Sequence, residues 1–343
     1  MSRNLAAILP SLGSPLSVHP VELYTPGPYE LLIKNTTIAF NAIEYKIAKL
    51  GAIPIDYPII LGSTFAGTIE DIGSQVTDYQ VGARVVVSKR FGVKGNQYGA
   101  YQQYVVVADK MISRVPDGVD ESVPASLMMN LTCVVGLFTG RLRLDRPRLD
   151  GLKSAGKNKK VLVYGGSSSF GGLSVQYLSQ AGYTVVTTSS PRNRNFVDKL
   201  GAIVVIDHTI KPEALVDQLV AESPYDIMVD TISLPNTIAV TARVLAAQGG
   251  GKLYAMQPAF EPESLPEGVT RVFEPWSESL YEEKNHDLQE WVMQMYLPQC
   301  IAQGAIIPLP IDKVAGGLKG INEVLDRLQK GVSGVRLVAD PRE

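Results

Sequence analysis

The chain has 343 residues, too many for one ordinary hydrophobic core, so two domains are expected. Lys+Arg 32 against Asp+Glu 34 leaves a formal charge of -2, and no Lys/Arg block of five or more is present, which excludes the basic field that a nucleic-acid backbone requires. No run of about 18 apolar residues is free of charge or Pro, so no membrane partner is expected and the chain is read as cytoplasmic.

The N-terminal segment MSRNLAAILPSLGSPL is briefly apolar, but Pro10 interrupts it and no small-residue cleavage site follows. Residues 1–128 consist of short apolar runs punctuated by Gly and Pro (Pro26 to Pro28, Pro54 to Pro58, Gly92 to Gly99), the pattern of a small β-barrel-like domain with few helices. Arg141 to Lys160 is charge-rich and reads as an exposed connection. From there the pattern changes to strand, glycine turn, helix, strand. Lys159 to Gly165 is a β-branched strand, Phe170 to Ala181 has helical spacing, and Thr184 to Ser189 is a strand again. Strands follow at Ala202 to Asp207, Tyr225 to Asp230, Lys252 to Met256 and Thr270 to Glu274, with helix-length segments between most of them. Such alternation requires a doubly wound parallel sheet, an α/β domain. The tail from Trp276 holds predicted helices at His286 to Gln303 and Gly320 to Lys330, then a strand at Val335 to Ala339. Cys133 and Cys300 are the only cysteines, too few for a disulfide framework or a four-thiolate zinc site.

Tyr164-Gly165-Gly166-Ser167-Ser168-Ser169-Phe170-Gly171-Gly172 lies at the strand-to-helix junction. A dinucleotide pyrophosphate needs such a turn, with little side-chain bulk and backbone N–H groups free at a helix N-terminus. Alone, the motif is also compatible with a Ser/Gly-rich helix cap; its place at the head of the best βαβ unit favours the phosphate reading.

The segment VLVYGGSSSFGGLSVQYLSQAGYTVVTTSSPRN, followed by LGAIVVIDH, resembles the cofactor region of the zinc-free quinone oxidoreductase and enoyl reductase branch of the medium-chain dehydrogenase/reductase superfamily. PIILGSTFAGTIEDIGSQVTDYQVGARVVV is similar to that family's catalytic-domain signature and GGLKGINEVLDRLQKGVSGVRLVADP to its C-terminal one; within the branch, fungal trans-acting enoyl reductases look most alike. The resemblance implies a GroES-like β-barrel catalytic domain from residues 1–128 and 276–343, and a Rossmann domain over 129–275. It also implies a hydrophobic, carrier-bound substrate from secondary metabolism, with a polyketide synthase as partner.

An acid at the end of the second Rossmann strand would hold both adenosine ribose hydroxyls and select NADH. This chain reads Thr188-Ser189-Ser190-Pro191-Arg192-Asn193 there, without an acid, so Arg192 and Ser190 are candidates for the 2′-phosphate of NADPH. The alternative is an ordinary polar loop. His208 occupies a place where relatives often carry a tyrosine near that phosphate, and reads equally as a surface histidine. The candidate cofactor set is therefore Gly165, Ser167, Ser168, Ser169, Phe170 and Gly171 at the turn, with Ser189, Ser190, Arg192, Asn193 and His208 at the adenosine end.

Where zinc-dependent relatives carry Cys and His ligands, this chain has Asn41 and Ser63, so no metal is expected. Hydride must then go to a carbon that is already electrophilic, and the enolate formed needs hydrogen-bond donors. By resemblance, Asn41 and Lys46 border the nicotinamide and Thr132 lies beside its ring. Lys46 reads equally as a solvated lysine, and Thr132 as a helix threonine bonded to its own backbone. Three functions stay open: reduction of a conjugated C=C, reduction of a quinone or small enone, and NADPH binding without redox turnover.

Overall fold

The computed structural model describes residues 4–259 and 261–343; Met1 to Arg3, part of the N-terminal segment read above, and Phe260 lie outside them. The chain divides into two units, Met1–Met129 with His286–Glu343, and Asn130–Asn285.

The first unit is built on β1 (Asn4–Leu9), β2 (Ser17–Val21), β3 (Glu30–Ala39), β4 (Ile59–Ile60), β5 (Thr64–Ile72), β6 (Arg84–Ser88), β7 (Tyr104–Ala108) and β8 (Ile112–Arg114). A small sheet runs β2-β1-β4. The larger one runs from Ile311–Lys313 through Arg336–Ala339 to β3, β5, β6 and β8, with β7 also paired to β3. Alternate residues of each strand point to one side, so Leu31 and Ile33, Phe65 and Ile69, Val85 and Val87, and Val105 and Val107 share one core. A second core joins Ala6, Leu9, Ile38 and Phe40 to Ile321, Val324, Leu325 and Leu337, which is why the tail returns to this unit. One helix interrupts the strands, α1 (Ala42–Leu50), which the Gly/Pro punctuation did not suggest. Its signal is Asn41 at the N-cap with Glu44 three residues on: the Glu44 carboxylate accepts the Asn41 backbone N–H, as in a capping box.

The predicted helix at His286 to Gln303 is realised as His286–Glu290 and Leu297–Gln303, joined by a π-helical turn, Trp291–Tyr296. Pro298 explains the widened turn, because its ring clashes with the carbonyl four residues back and it has no N–H to offer.

α2 (Ser122–Val135) carries the chain into the second unit. The segment Ser122–Arg141 is long and apolar enough to cross a membrane, but 72% of its apolar window is buried inside the protein, as for a core helix. Next come β9 (Lys160–Tyr164), α3 (Ser169–Gln180), β10 (Thr184–Ser189), β11 (Val204–Asp207), β12 (Ile227–Asp230), β13 (Gly251–Ala255) and β14 (Val269–Val272). All six strands are parallel, in the order β11-β10-β9-β12-β13-β14. That is the doubly wound Rossmann order, whose direction of winding reverses between β9 and β12. One boundary differs from expectation. Residues 276–285 belong to this unit and not to the barrel, because Trp276 Nε1 donates to Ala255 O at 2.9 Å and Ser279 Oγ to Gly136 O at 2.7 Å.

Candidate functional site

In the second unit, the chain leaves β9 at Tyr164 and turns through Gly165 into α3. Gly165 has φ +93°, and a Cβ there would meet Thr231 Oγ1 at 2.7 Å, so only glycine fits the turn. Ser168 caps α3, accepting the Gly171 N–H at 2.9 Å. Its hydroxyl also pairs with Thr231 Oγ1 at 2.9 Å, and Thr231 donates to Tyr164 O at 2.8 Å. Ser168 thus ties the turn to the end of β12. The N–H groups of Ser167 and Phe170 make no hydrogen bond among the described residues. Free N–H groups at the head of a 12-residue helix, at the switch point of a parallel sheet, suit a pyrophosphate. The residues present therefore fit a dinucleotide.

The adenosine-side candidates meet at the ends of β10 and β11, where Ser189 lies in register with Asp207. Ser190 Oγ accepts from Asn193 Nδ2 at 3.3 Å, and Ser189 Oγ donates to Ser190 O at 3.1 Å. Arg192 is exposed and makes neither an ion pair nor a side-chain hydrogen bond among the described residues. Asp207, at the end of β11, has its Oδ1 already taken by the Thr209 N–H at 2.8 Å and the Thr209 hydroxyl at 2.7 Å. His208 stacks on Tyr164 with ring centroids 6.1 Å apart, and its Nδ1 is buried without a partner. Burial pushes its pKa below the usual histidine range; Asp207 pulls it up and the Arg192 charge pushes it further down.

In the first unit, the buried Asn41, Glu44, Thr64 and Arg336 form one polar cluster with the half-buried Ser63. Arg336 Nη2 donates to Asn41 Oδ1 at 3.0 Å, Asn41 Nδ2 donates to Thr64 Oγ1 at 3.3 Å, and Ser63 Oγ donates to Glu44 Oε1 at 2.7 Å. Burial pushes the Glu44 carboxyl up, against hydrogen bonds from Ser63 and Asn41 and the Arg336 charge. Burial likewise brings the Arg336 guanidinium down to about 10, opposed by Glu44. Lys46 is half-buried on α1, and Thr132 is buried on α2 in the other unit. Of the three expected catalytic residues, then, Asn41 alone belongs to this cluster. Reasoning from sequence missed Arg336; the available signal was a cation inside the apolar run VRLVA, at an alternating inward position. Among the described residues, no three His, Cys, Asp or Glu side chains come together as a metal would need.

Residues 27–117 match the alcohol dehydrogenase GroES-like domain. A trans-enoyl reductase of Aspergillus japonicus is 30% identical, the match covering 95% of this chain and 93% of that one. A dehydrogenase of Aspergillus niger is 31% identical over 98% and 99% of the two chains. Among solved structures, a Pseudomonas syringae quinone oxidoreductase superposes with TM-score 0.76 at 19% identity, covering 98% of this chain and all of that one. A mycobacterial protein complexed with NADPH gives 0.76 at 22%, covering 99% and 100%.

The chain belongs to the medium-chain dehydrogenase/reductase superfamily, in its enoyl reductase branch. It is an oxidoreductase with a GroES-like barrel and a Rossmann unit.

Proposed function

We propose that this protein is a zinc-independent reductase that uses NADPH to reduce the conjugated C=C of a hydrophobic enoyl or enone substrate carried on a polyketide-type synthase. The observation that carries the cofactor reading is the acid-free end of β10, where Arg192 is unengaged and Ser190 and His208 stand nearby. The substrate class is supported by relatives named trans-enoyl reductases. Bound NADPH supplies a hydride. The Ser167 and Phe170 N–H groups hold the pyrophosphate, and Arg192 with Ser190 holds the 2′-phosphate through charge-assisted hydrogen bonds. In the barrel unit, Asn41 is positioned by Arg336 and Thr64.

The test measures dissociation constants for NADPH and NADH, then NADPH consumption with a crotonyl-type thioester and with a naphthoquinone. NADPH should bind at least ~10-fold tighter, and Arg192→Ala should remove most of that difference, since ~1.4 kcal/mol is tenfold and one phosphate contact supplies as much. Equal constants overturn the cofactor reading. Turnover of the quinone alone overturns the substrate reading.

A further inference from the structure

The polar cluster of the barrel unit has a cation that neither the motifs nor the capping logic uses. Lys89 directly follows β6, and its backbone N–H donates to Ser63 O at 2.8 Å, extending the β5–β6 register one step past the Thr64 and Ser88 pair. The side chain is half-buried, and its amine makes no hydrogen bond or ion pair among the described residues. Burial lowers its pKa, and the Glu44 charge opposes that.

The single Glu44 carboxylate interacts with two cations, Arg336 and Lys89. Tyr101 adds an unsatisfied donor: its ring packs on Phe40, 5.6 Å between centroids, and against Gly62, where a Cβ would approach it to 2.5 Å. Its hydroxyl is buried without a partner and electrostatically coupled to Glu44. A desolvated site with an unengaged amine and an unpartnered hydroxyl is complementary to an oxygen that gains negative charge.

Lys46, the lysine singled out by its motif, is placed differently. It lies two residues after Glu44, about 200° around α1 at 3.6 residues per turn, and such pairs do not face each other. Burial lowers its pKa.

We propose that Lys89, beside Ser63, holds the carbonyl oxygen of the substrate and stabilises the enolate formed there. The proposal rests on the enoyl-reduction reading above. Hydride adds to the β-carbon, the C=C electron pair shifts into the bond between the α-carbon and the carbonyl carbon, the C=O pair moves onto the oxygen, NADPH leaves as NADP+, and water supplies the proton that ends on the α-carbon, leaving hydroxide. Lys89 donates a hydrogen bond throughout and keeps its proton.

The experiment compares the parent, Lys89→Met, Lys89→Arg and Lys46→Met on a crotonyl-type thioester across pH, with NADPH affinity, affinity for the saturated thioester and melting temperature as companion readouts. Lys89→Met should lose at least ~100-fold in kcat/KM, weaken saturated-thioester binding severalfold and leave NADPH affinity within about twofold, whereas Lys46→Met should lose less than ~10-fold. The parent's kcat/KM should fall at alkaline pH as Lys89 deprotonates, a limb that Lys89→Arg moves upward while restoring most of the rate. Lys89→Gln carries the test if the Met variant does not fold. If the parent turns over and Lys89→Met matches it in rate and pH profile, the Lys89 assignment is overturned and the reductase reading stands. If the parent reduces neither thioester nor quinone, both fall.

Discussion

Arg336 should be the most costly single charge to remove from the barrel unit. Arg336→Met deletes the donor to Asn41 Oδ1 and strips Glu44 of a cation inside a buried cluster. Breaking a buried charge pair from one side costs about 3–5 kcal/mol, because the remaining charge is left without compensation. For a domain of this size each kcal/mol moves the melting temperature by about 2–4 °C, so a fall of roughly 6–20 °C is expected. Glu44→Gln combined with Arg336→Met should recover much of it, since the stranded carboxylate is gone. The chain's two tryptophans divide between the units: Trp291, stacked 4.5 Å from Tyr296, reports on the barrel unit once Trp276 is replaced by Phe. A double-mutant cycle on that signal measures the coupling. Its pH dependence has a definite sign. Because burial raises the Glu44 pKa, its contribution is fully present below the ordinary glutamate range and is lost as pH rises through the raised value. Glu44→Gln should flatten that slope. An Arg336→Met variant less than ~1 kcal/mol weaker than the parent, or a double variant as weak as the sum of the singles, would refute the reasoning.

Two further outcomes are expected in the Rossmann unit. Gly165→Ala forces a Cβ into a left-handed turn and onto Thr231 Oγ1, so cofactor binding measured by NADPH fluorescence should drop at least ~10-fold, from ~1–3 kcal/mol of strain; unchanged binding would show that the turn does not hold the phosphates. His208 is held below its usual pKa, neutral at pH 7, and a 2′-phosphate would favour its protonated form. NADPH should therefore bind more tightly as pH falls from about 8 to 6, beyond any change in His208→Gln, which subtracts the titration of the phosphate itself; identical slopes for the two proteins would remove His208 from the site.

The Rossmann unit is largely legible in the amino-acid sequence, because its strands are buried on both faces and read as continuous β-branched runs, KVLVY and TVVTTS, each closed by a turn of distinctive composition. Strand ends differ by only a residue or two; the strand expected at Ala202 to Asp207, for example, is Val204–Asp207. The barrel is legible as a class but not in detail. α1 is a short helix set among Gly/Pro-rich segments, and only the Asn41 and Glu44 spacing announces it. The trans-unit path of the tail is likewise hidden. Residues 276–285 follow Trp276 into the Rossmann unit through one indole hydrogen bond and one serine, contacts that leave no periodic trace.

The barrel's polar cluster shows why the remaining site residues could not be read along the chain. Asn41 and Glu44 are neighbours on one helix turn, but Ser63, Lys89 and Arg336 arrive from three other points, and each looks ordinary in its own segment. What joins them is strand pairing: Ala39 with Thr64 and Thr64 with Ser88 bring the first three segments to one end of the sheet, and Ala39 with Val338 brings the tail. A motif can say that a metal ligand has been replaced. It cannot say that Asn41 is held by an arginine almost three hundred residues away, nor that a lysine just past β6 lies within the field of Glu44. Removing the Lys89 amine from the cluster by Lys89→Met therefore tests a property that belongs to the sheet's register and not to any single stretch of sequence.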